Sequence, residues 1–428
     1  MTVNKKEYSI YGDNVYSKRM ANGLLVMVVA KPEYYRTYAT LGVDYGSIDN
    51  QFVNPNTGEV VTLPAGIAHF LEHKMFDKNG YDAFDLFTKY GSNANAYTSF
   101  TNTNYLFTTT NHVMENLKIL LDFVQEPYFT PEKVEKEKGI IGQEIQMYDD
   151  DPNSRIFFQT IRNLYPDFPL NKDIAGSIES IAKITADDLN LAYQVFYQPS
   201  NMTLKVVGNV DPDEVFQFVE DDQAAKQFAA PVKIERVFPK QAPYDFTTSH
   251  HETLKLSRPK VAIGLKGIAK LPNGPSEAKR ELTMSLLLNL FFSENSQVYS
   301  ELYDEGILDD SFSFELDCER EFYFAFLAGD TNHPQQFIER ILDVMKTAVN
   351  KIDELANDFA LIKREKIGQR VLMMNSLEAI AIRLGSPLDD FTNLYDEVDI
   401  INSIELADLK AVAGQLFDLK AVTTNVFD

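Results

Sequence analysis

The apolar positions of this chain fall into short strand-like runs separated by amphipathic, helix-like stretches. Residues 24–29 (Leu-Leu-Val-Met-Val-Val) form an unbroken apolar run of strand length, and 38–47 reads as a second strand ending at Gly46. A polar loop rich in Pro, Asn and Gly follows at 54–58, and Pro64-Ala65-Gly66 leads into a helix. Residues 82–90 read as a short helix closed by Gly91. Two extended runs rich in Thr, Tyr and Phe come next, at 93–100 and 105–110. The stretch 111–125 is amphipathic, with Val113, Leu117, Leu120, Leu121 and Val124 on one side. Pro131 is well placed to open a helix running to about residue 148, which Asp149-Asp150-Asp151-Pro152 stops. Helices also fit 154–164 and 185–196, and a strand fits 202–207, ending in Gly208.

Residues 229–244 carry Pro231, Pro239 and Pro243 among mixed charges with no clear period, which reads as a linker. The expected organisation is therefore a first domain at 1–228, a linker at 229–244 and a second domain at 245–428. The second half repeats the order of the first. It has a strand at 260–265, a helix at 276–292, strands at 311–316 and 322–327, helices at 335–355, 358–377 and 404–417, and a strand at 421–426. Ile141-Gly142-Gln143-Glu144 recurs as Ile367-Gly368-Gln369-Arg370, and residues 69–76 can be laid over 285–292. That overlay pairs His69 with Ser285, Glu72 with Leu288 and His73 with Asn289. The pattern suggests a duplicated domain whose second copy has lost its chemistry.

A length of 428 residues is comfortable for two domains, and 44% hydrophobic with 24% charged residues is ordinary globular composition. The net charge of −23 argues against nucleic-acid binding, which needs a basic footprint. The single cysteine, Cys318, excludes a disulfide framework within the chain and a cysteine-based zinc site. Residues 1–11 lack an apolar core for a signal peptide, and no run reaches the length of a membrane span, so the cytoplasm is the expected location.

Candidate chemistry concentrates in His69-Phe70-Leu71-Glu72-His73, which uses two of the six histidines. On a helix, His69 and His73 lie one turn apart, and Glu72 is rotated by about 60° from His69. Two imidazoles and a neighbouring carboxylate can then converge on one metal ion and its water. Catalytic zinc takes three protein ligands, so a third must come from elsewhere. The segment 135–144 offers Glu137 and Glu144, seven apart and so nearly on one helix face. One of the two could bind metal while the other supports the site from behind. His112, His250, His251 and His333 lie in polar, loop-like settings and read as non-functional.

The H-x-x-E-H motif, with Glu144 placed 71 positions after His73 and Glu137 seven before it, resembles the M16 family of zinc metallopeptidases (pitrilysins, insulinases and mitochondrial-processing-peptidase-like proteases). The resemblance spans residues 23–208 and continues more weakly through the second half. At finer grain it is to the short bacterial members, which are often paired with an inactive paralogue. It implies an α+β fold of two homologous α/β-roll domains, each a mainly antiparallel sheet packed with helices. It implies Zn²⁺ held by His69, His73 and Glu144, with Glu72 as general acid–base and Glu137 as its supporting catalytic carboxylate. It also implies that Ser92-Asn93-Ala94-Asn95-Ala96-Tyr97-Thr98 is an edge strand that takes a peptide by β-augmentation, with Asn95, Ala96 and Tyr97 in contact with substrate.

One stretch departs from the family pattern. The non-catalytic half usually carries L-R-x(4)-L-x-Y, and here Tyr303 stands at the Arg position and Asp310 at the Tyr position. The expected function is a zinc-dependent endopeptidase that hydrolyses unstructured peptides or short precursors inside a chamber formed by two subunits. The expected assembly is a homodimer, or a heterodimer with an M16-like paralogue that supplies the missing Arg and Tyr. The competing reading is a catalytically weak structural or assembly subunit of a heteromeric complex. The intact ligand and base residues favour the enzyme.

Overall fold

Apolar runs of the first half become the inner strands of a seven-stranded sheet. The computed structural model describes residues 2–268, 275–385 and 392–428. In chain order, β1 (Asn4–Tyr8), β2 (Asp13–Arg19), β3 (Leu25–Ala30) and β4 (Thr37–Val43) precede a small hairpin of β5 (Gln51–Val53) and β6 (Val60–Thr62). Helices α1 (Ile67–Phe76) and α2 (Ala83–Lys89), strands β7 (Asn93–Thr98) and β8 (Thr103–Thr109), and helices α3 (Val113–Gln125) and α4 (Pro131–Asp150) follow. Then come α5 (Pro152–Leu164), α6 (Ile178–Ile181), α7 (Ala186–Phe196), β9 (Met202–Gly208) and α8 (Pro212–Ala225). The second half adds β10 (Ser249–Glu252), β11 (Lys260–Lys266), α9 (Pro275–Phe292), α10 (Gln297–Asp304), β12 (Ser313–Glu319) and β13 (Phe322–Asp330). It ends with α11 (Pro334–Lys351), α12 (Ala356–Met373), α13 (Leu377–Ile382), α14 (Leu394–Ser403), α15 (Leu406–Leu416) and β14 (Val422–Phe427).

These elements pack into two units that interleave in sequence. The first joins Met1–Met147, Lys172–Phe238 and Asn375–Leu384; the second joins Tyr148–Asn171, Pro239–Met374 and Gly385–Asp428. A division in chain order at 229–244 has no such crossing, and side-chain packing explains why two segments cross. Helix α5 docks on β11 and β14 of the second unit, where Asn163 Nδ2 donates to Thr423 Oγ1 at 3.0 Å and to Asn425 Oδ1 at 2.9 Å. Gly264 of β11 makes room for it, since a Cβ there would lie 2.4 Å from Thr160 Cγ2. Helix α13 belongs to the first unit, where it packs on β4 and β9. Within 229–244, Val53 N–H donates to Glu235 O and Val237 N–H to Gln51 O, both at 2.9 Å, so the start of that stretch is pinned beside β5.

The first sheet has the order β1-β2-β3-β9-β4-β8-β7. Only β3 and β9 run parallel; the other neighbours are antiparallel. The second sheet has the order β10-β14-β11-β13-β12, with β10 and β14 parallel. Matching β3, β4, β7, β8 and β9 with β10, β11, β12, β13 and β14 maps one order onto the other. This matches the expected α+β architecture of two sheet-containing domains, both open sheets with free edges. Each unit has its own apolar core. The first gathers Phe70 and Leu71 of α1 with Tyr105, Phe107, Leu117, Leu120 and Phe196; the second gathers Leu287, Phe291, Ala325, Ile341 and Leu416. Among the described residues, no helix is long and apolar enough to cross a membrane.

Helix α1 is buried on nearly every side. Its entry requires glycine: Gly66 has φ +89°, and a Cβ there would lie 2.3 Å from Ala175 O. The motif therefore sits on a rigid element deep in the first unit, a good platform for fixed chemistry.

Strand β12 closes one edge of the second sheet, and Phe314, Leu316 and Cys318 pack against the second core. Burial and the nearby Glu281 and Asp317 carboxylates push the Cys318 thiol far above its usual range. Burial, reinforced by Glu319, Glu315 and Glu281, pushes Asp317 up from 3.8 to about 7. Because the folded chain holds this proton more tightly than the unfolded one, Asp317 costs stability as pH rises from about 4 through 7. Asp317→Asn is expected to raise the thermal midpoint relative to wild type at pH 8, with the gain vanishing at pH 4. A gain that is the same at both pH values contradicts this.

Candidate metal centre

Helix α1 stacks His69 and His73 one turn apart, with ring centroids 4.6 Å from each other. Helix α4 brings up the third group. Its Val134, Ile141 and Ile145 are buried, and Glu137 and Glu144, each three residues after one of these positions, lie beside that stripe. Glu144 Oε1 is 3.5 Å from His69 Nε2, and Glu144 Oε2 is 3.5 Å from His73 Nε2. These separations are long for N–H···O hydrogen bonds. They suit two ligands of one ion: ligand atoms about 2.0–2.1 Å from a tetrahedral zinc stand about 3.3 Å apart. One ligand atom from each of the three residues lies within 4.8 Å of the others, the only such group among the described residues. Two imidazoles and a carboxylate form a donor set that zinc accepts with a position left open. By donor type and spacing, the residues present fit the metal.

Further groups orient these three. His73 Nδ1 lies 3.1 Å from Glu137 Oε1, which fixes the ring and leaves Nε2 facing Glu144. Burial pulls the His73 pKa down, but the Glu137 hydrogen bond and the carboxylates of Glu72, Glu137 and Glu144 outweigh it and hold it above the ordinary value. Burial pushes Glu137 up, but His73 and Lys74 outweigh it and hold it below the ordinary value. A pocket that draws positive charge onto an imidazole in this way is also one that favours a cation. His69 Nδ1 is buried with no hydrogen-bond partner among the described residues.

Glu72, only 8% exposed, projects from the same helix, and its Oε2 accepts a 2.6 Å hydrogen bond from Thr98 Oγ1 of β7. Strand β7 is the sheet edge, paired on one side only, with β8. Along it Ala94 and Ala96 pack toward the core, while Asn93, Asn95 and Tyr97 alternate to the other face. Asn95 Oδ1 accepts from Ala96 N–H at 2.9 Å, and Tyr97 is 39% exposed.

The structure thus brings His69, Glu72, His73, Glu137 and Glu144 together, and it places Asn95, Ala96 and Tyr97 on the strand that ends at Glu72's partner. Thr98 was not among the expected site residues, although the alternation that turns Ala94 and Ala96 inward puts Thr98 on the same side. Lys74 was missed as well; its signal is a lone lysine on a buried apolar helix. His112, His250, His251 and His333 join no such group among the described residues.

The second unit carries a counterpart with its charges reversed. Adding the 226-residue offset of the Ile-Gly-Gln repeat to 137 and 144 gives Lys363 and Arg370 in place of the two glutamates. Arg370 Nε donates to Glu397 Oε2, and Lys363 Nζ donates to Ile404 O at 2.7 Å. Asn289, at the His73 position, donates to Ser285 O at 2.7 Å. Two cations stand where the first unit has two carboxylates, and among the described residues no group of metal-binding side chains forms there.

The chain belongs to the M16 family of peptidases. The family described as Insulinase (Peptidase family M16) matches residues 61–177, and the one described as Peptidase M16 inactive domain matches residues 183–363. The chain is similar to the uncharacterized zinc protease YmfH of Bacillus subtilis (strain 168), at 42% identity over 95% of this chain and 94% of that protein. It is similar at 24% identity to the uncharacterized zinc protease YmxG of the same organism, over 82% of this chain and 86% of that protein. Among solved structures, an M16-like peptidase from Alicyclobacillus acidocaldarius superposes with a TM-score of 0.90 at 30% identity, covering 100% of this chain and 98% of that one. A peptidase M16 inactive domain from Pseudomonas fluorescens has the same fold, with a TM-score of 0.75 at 15% identity over 97% of each chain.

Proposed function

We propose that this chain is a zinc-dependent endopeptidase that hydrolyses unstructured peptides or short precursor proteins. The observation that carries the reading is the convergence of His69 Nε2, His73 Nε2 and the Glu144 carboxylate at ligand spacing. In this reading those three residues hold the ion, and residues 1–228 form the catalytic domain, joined through 229–244 to the metal-free repeat at 245–428. Bound there, zinc lowers the pKa of water and polarises the scissile carbonyl.

The chain's own groups do the rest. Glu72 takes a proton from the attacking water and delivers it to the leaving amine. Thr98 holds one Glu72 oxygen and leaves the other for that transfer. Glu137 keeps His73 in the tautomer that presents Nε2. An extended peptide pairs with the free edge of β7, with Asn95, Ala96 and Tyr97 as its contacts. Backbone pairing tolerates many side chains, so cleavage preference is expected to be weak.

The reaction takes place in a chamber formed with a second subunit, either another copy or an M16-like paralogue. Tyr303 and Asp310 stand where the family pattern has Arg and Tyr, and this favours a paralogue that supplies both. The cytoplasm is the proposed place of action, which the single cysteine fits. The match of residues 183–363 to a family described as an inactive domain supports a second reading, in which the chain is a catalytically weak structural or assembly subunit of a heteromeric complex. A chelator is expected to abolish cleavage of a quenched unstructured peptide, with one equivalent of Zn²⁺ restoring it and an M16-like paralogue increasing it. Cleavage indifferent to chelator sinks the zinc reading. A paralogue that neither binds nor stimulates sinks the heterodimer.

A further inference from the structure

Lys74 is the residue of α1 that the proposed reaction leaves unexplained. It directly follows His73, yet its side chain is only 1% exposed. A buried ammonium costs several kcal/mol unless anions surround it. Here two do: Lys74 Nζ donates to Asp77 Oδ2 at 2.7 Å and to Glu137 Oε2 at 3.2 Å. The chain of charges continues, since Lys133, one turn before Glu137 on α4, donates from Nζ to the other Asp77 oxygen and to Lys78 O at 2.6 Å. Lys133, Asp77, Lys74, Glu137 and His73 therefore form an alternating line that bolts α4 to α1 behind the candidate metal ligands.

We propose that Lys74 is the positioning residue that decides which of the two α4 glutamates meets the metal, an inference that rests on the zinc reading above. Glu137 and Glu144 are chemically identical and sit on one side of one helix. What distinguishes them is their partners. Lys74 engages Glu137 Oε2 and His73 Nδ1 engages Oε1, so both Glu137 oxygens are committed. Glu144 keeps its two oxygens toward the Nε2 atoms of His69 and His73. Without the Lys74 ammonium, the Glu137 carboxylate can rotate off His73 and compete for the ion, and the His73 ring loses its brace.

The test is a double-mutant cycle on zinc affinity, read by competition with a chromophoric chelator. Lys74→Met is expected to weaken zinc binding about 10–100-fold, the usual cost of removing a group that orients a ligand. Glu137→Gln is expected to weaken it similarly, and the double variant no further than the worse single one. The Co²⁺-substituted Lys74→Met protein is expected to show weaker visible absorption as Glu137 adds to the coordination, and Glu137→Gln in that background restores the intensity. Should Lys74→Met fail to fold, Lys74→Gln, which keeps one donor without the charge, carries the same cycle. Zinc affinity within twofold of wild type in the Lys74 variant, or losses that simply add, overturns the proposal. A wild-type chain that binds no zinc overturns the zinc reading instead, so the two failures are distinct.

Discussion

Glu72→Gln is expected to lower kcat/KM for an unstructured peptide by about 10²–10⁴-fold, the span that a positioned general acid–base contributes. Zinc content and thermal midpoint should stay as in wild type. Glutamine keeps the shape of the side chain and can still accept from Thr98 Oγ1, so packing around α1 is undisturbed. What it lacks is a basic oxygen to take a proton from water. Because Glu72 is not one of the three converging ligand residues, the metal should remain. A loss of zinc together with activity would place Glu72 among the ligands, and unchanged activity would remove it from the chemistry.

Glu144→Ala is expected to have the larger effect on metal. It deletes the carboxylate whose two oxygens face the Nε2 atoms of His69 and His73, leaving two imidazoles of the three converging ligand residues. Zinc affinity should fall by well over the roughly 10–100-fold that a supporting group costs, and activity should fall with it at ordinary zinc concentrations. Glu137 does not replace it while Lys74 and His73 hold its oxygens. The loss should steepen toward low pH. The Glu137 hydrogen bond and the Glu72 carboxylate, which remain in this variant and favour a charged His73, make a proton a stronger competitor for the ring once the metal is weakly held. Isothermal titration of zinc into the metal-free variants at pH 8 and pH 6 measures both effects.

How far the sequence could be read depended on whether the information was local. His69, Glu72 and His73 lie within five residues, so helix geometry alone puts them on one side. The two-turn spacing offered Glu137 and Glu144 as a pair, and only the resemblance to the M16 family singled out Glu144 as the ligand. Thr98 was harder, since its bond to Glu72 joins a helix to a strand 26 positions on, and only the inward alternation of Ala94 and Ala96 hints at it. Lys74 and Asp77 escaped because a lysine beside a motif reads as solvated until its burial is seen. The amphipathic period of α3 and the unbroken apolar run of β3 were plain. Helix α8 was not: Glu214, Glu220, Asp221 and Asp222 mask the short stripe of Val215, Phe216 and Val219. Strand β1 was not, because an exposed edge strand reading Asn-Lys-Lys-Glu-Tyr has no apolar alternation to show. Helix α4 ran two residues past the expected stop, with Asp151 capping the next helix through Ser154 N–H. The crossing of α5 and α13 between units, and the parallel pairing of β3 with β9, rest on contacts far apart in sequence that no local pattern carries.

The most direct test of the zinc endopeptidase reading is metal analysis of protein purified without chelator, with wild type, Glu72→Gln and Glu144→Ala side by side and each assayed on the same quenched peptide. About one zinc per chain is expected in wild type and Glu72→Gln, little in Glu144→Ala, and cleavage in wild type alone. Wild-type protein free of zinc, or cleavage that survives in either variant at the wild-type rate, contradicts that reading.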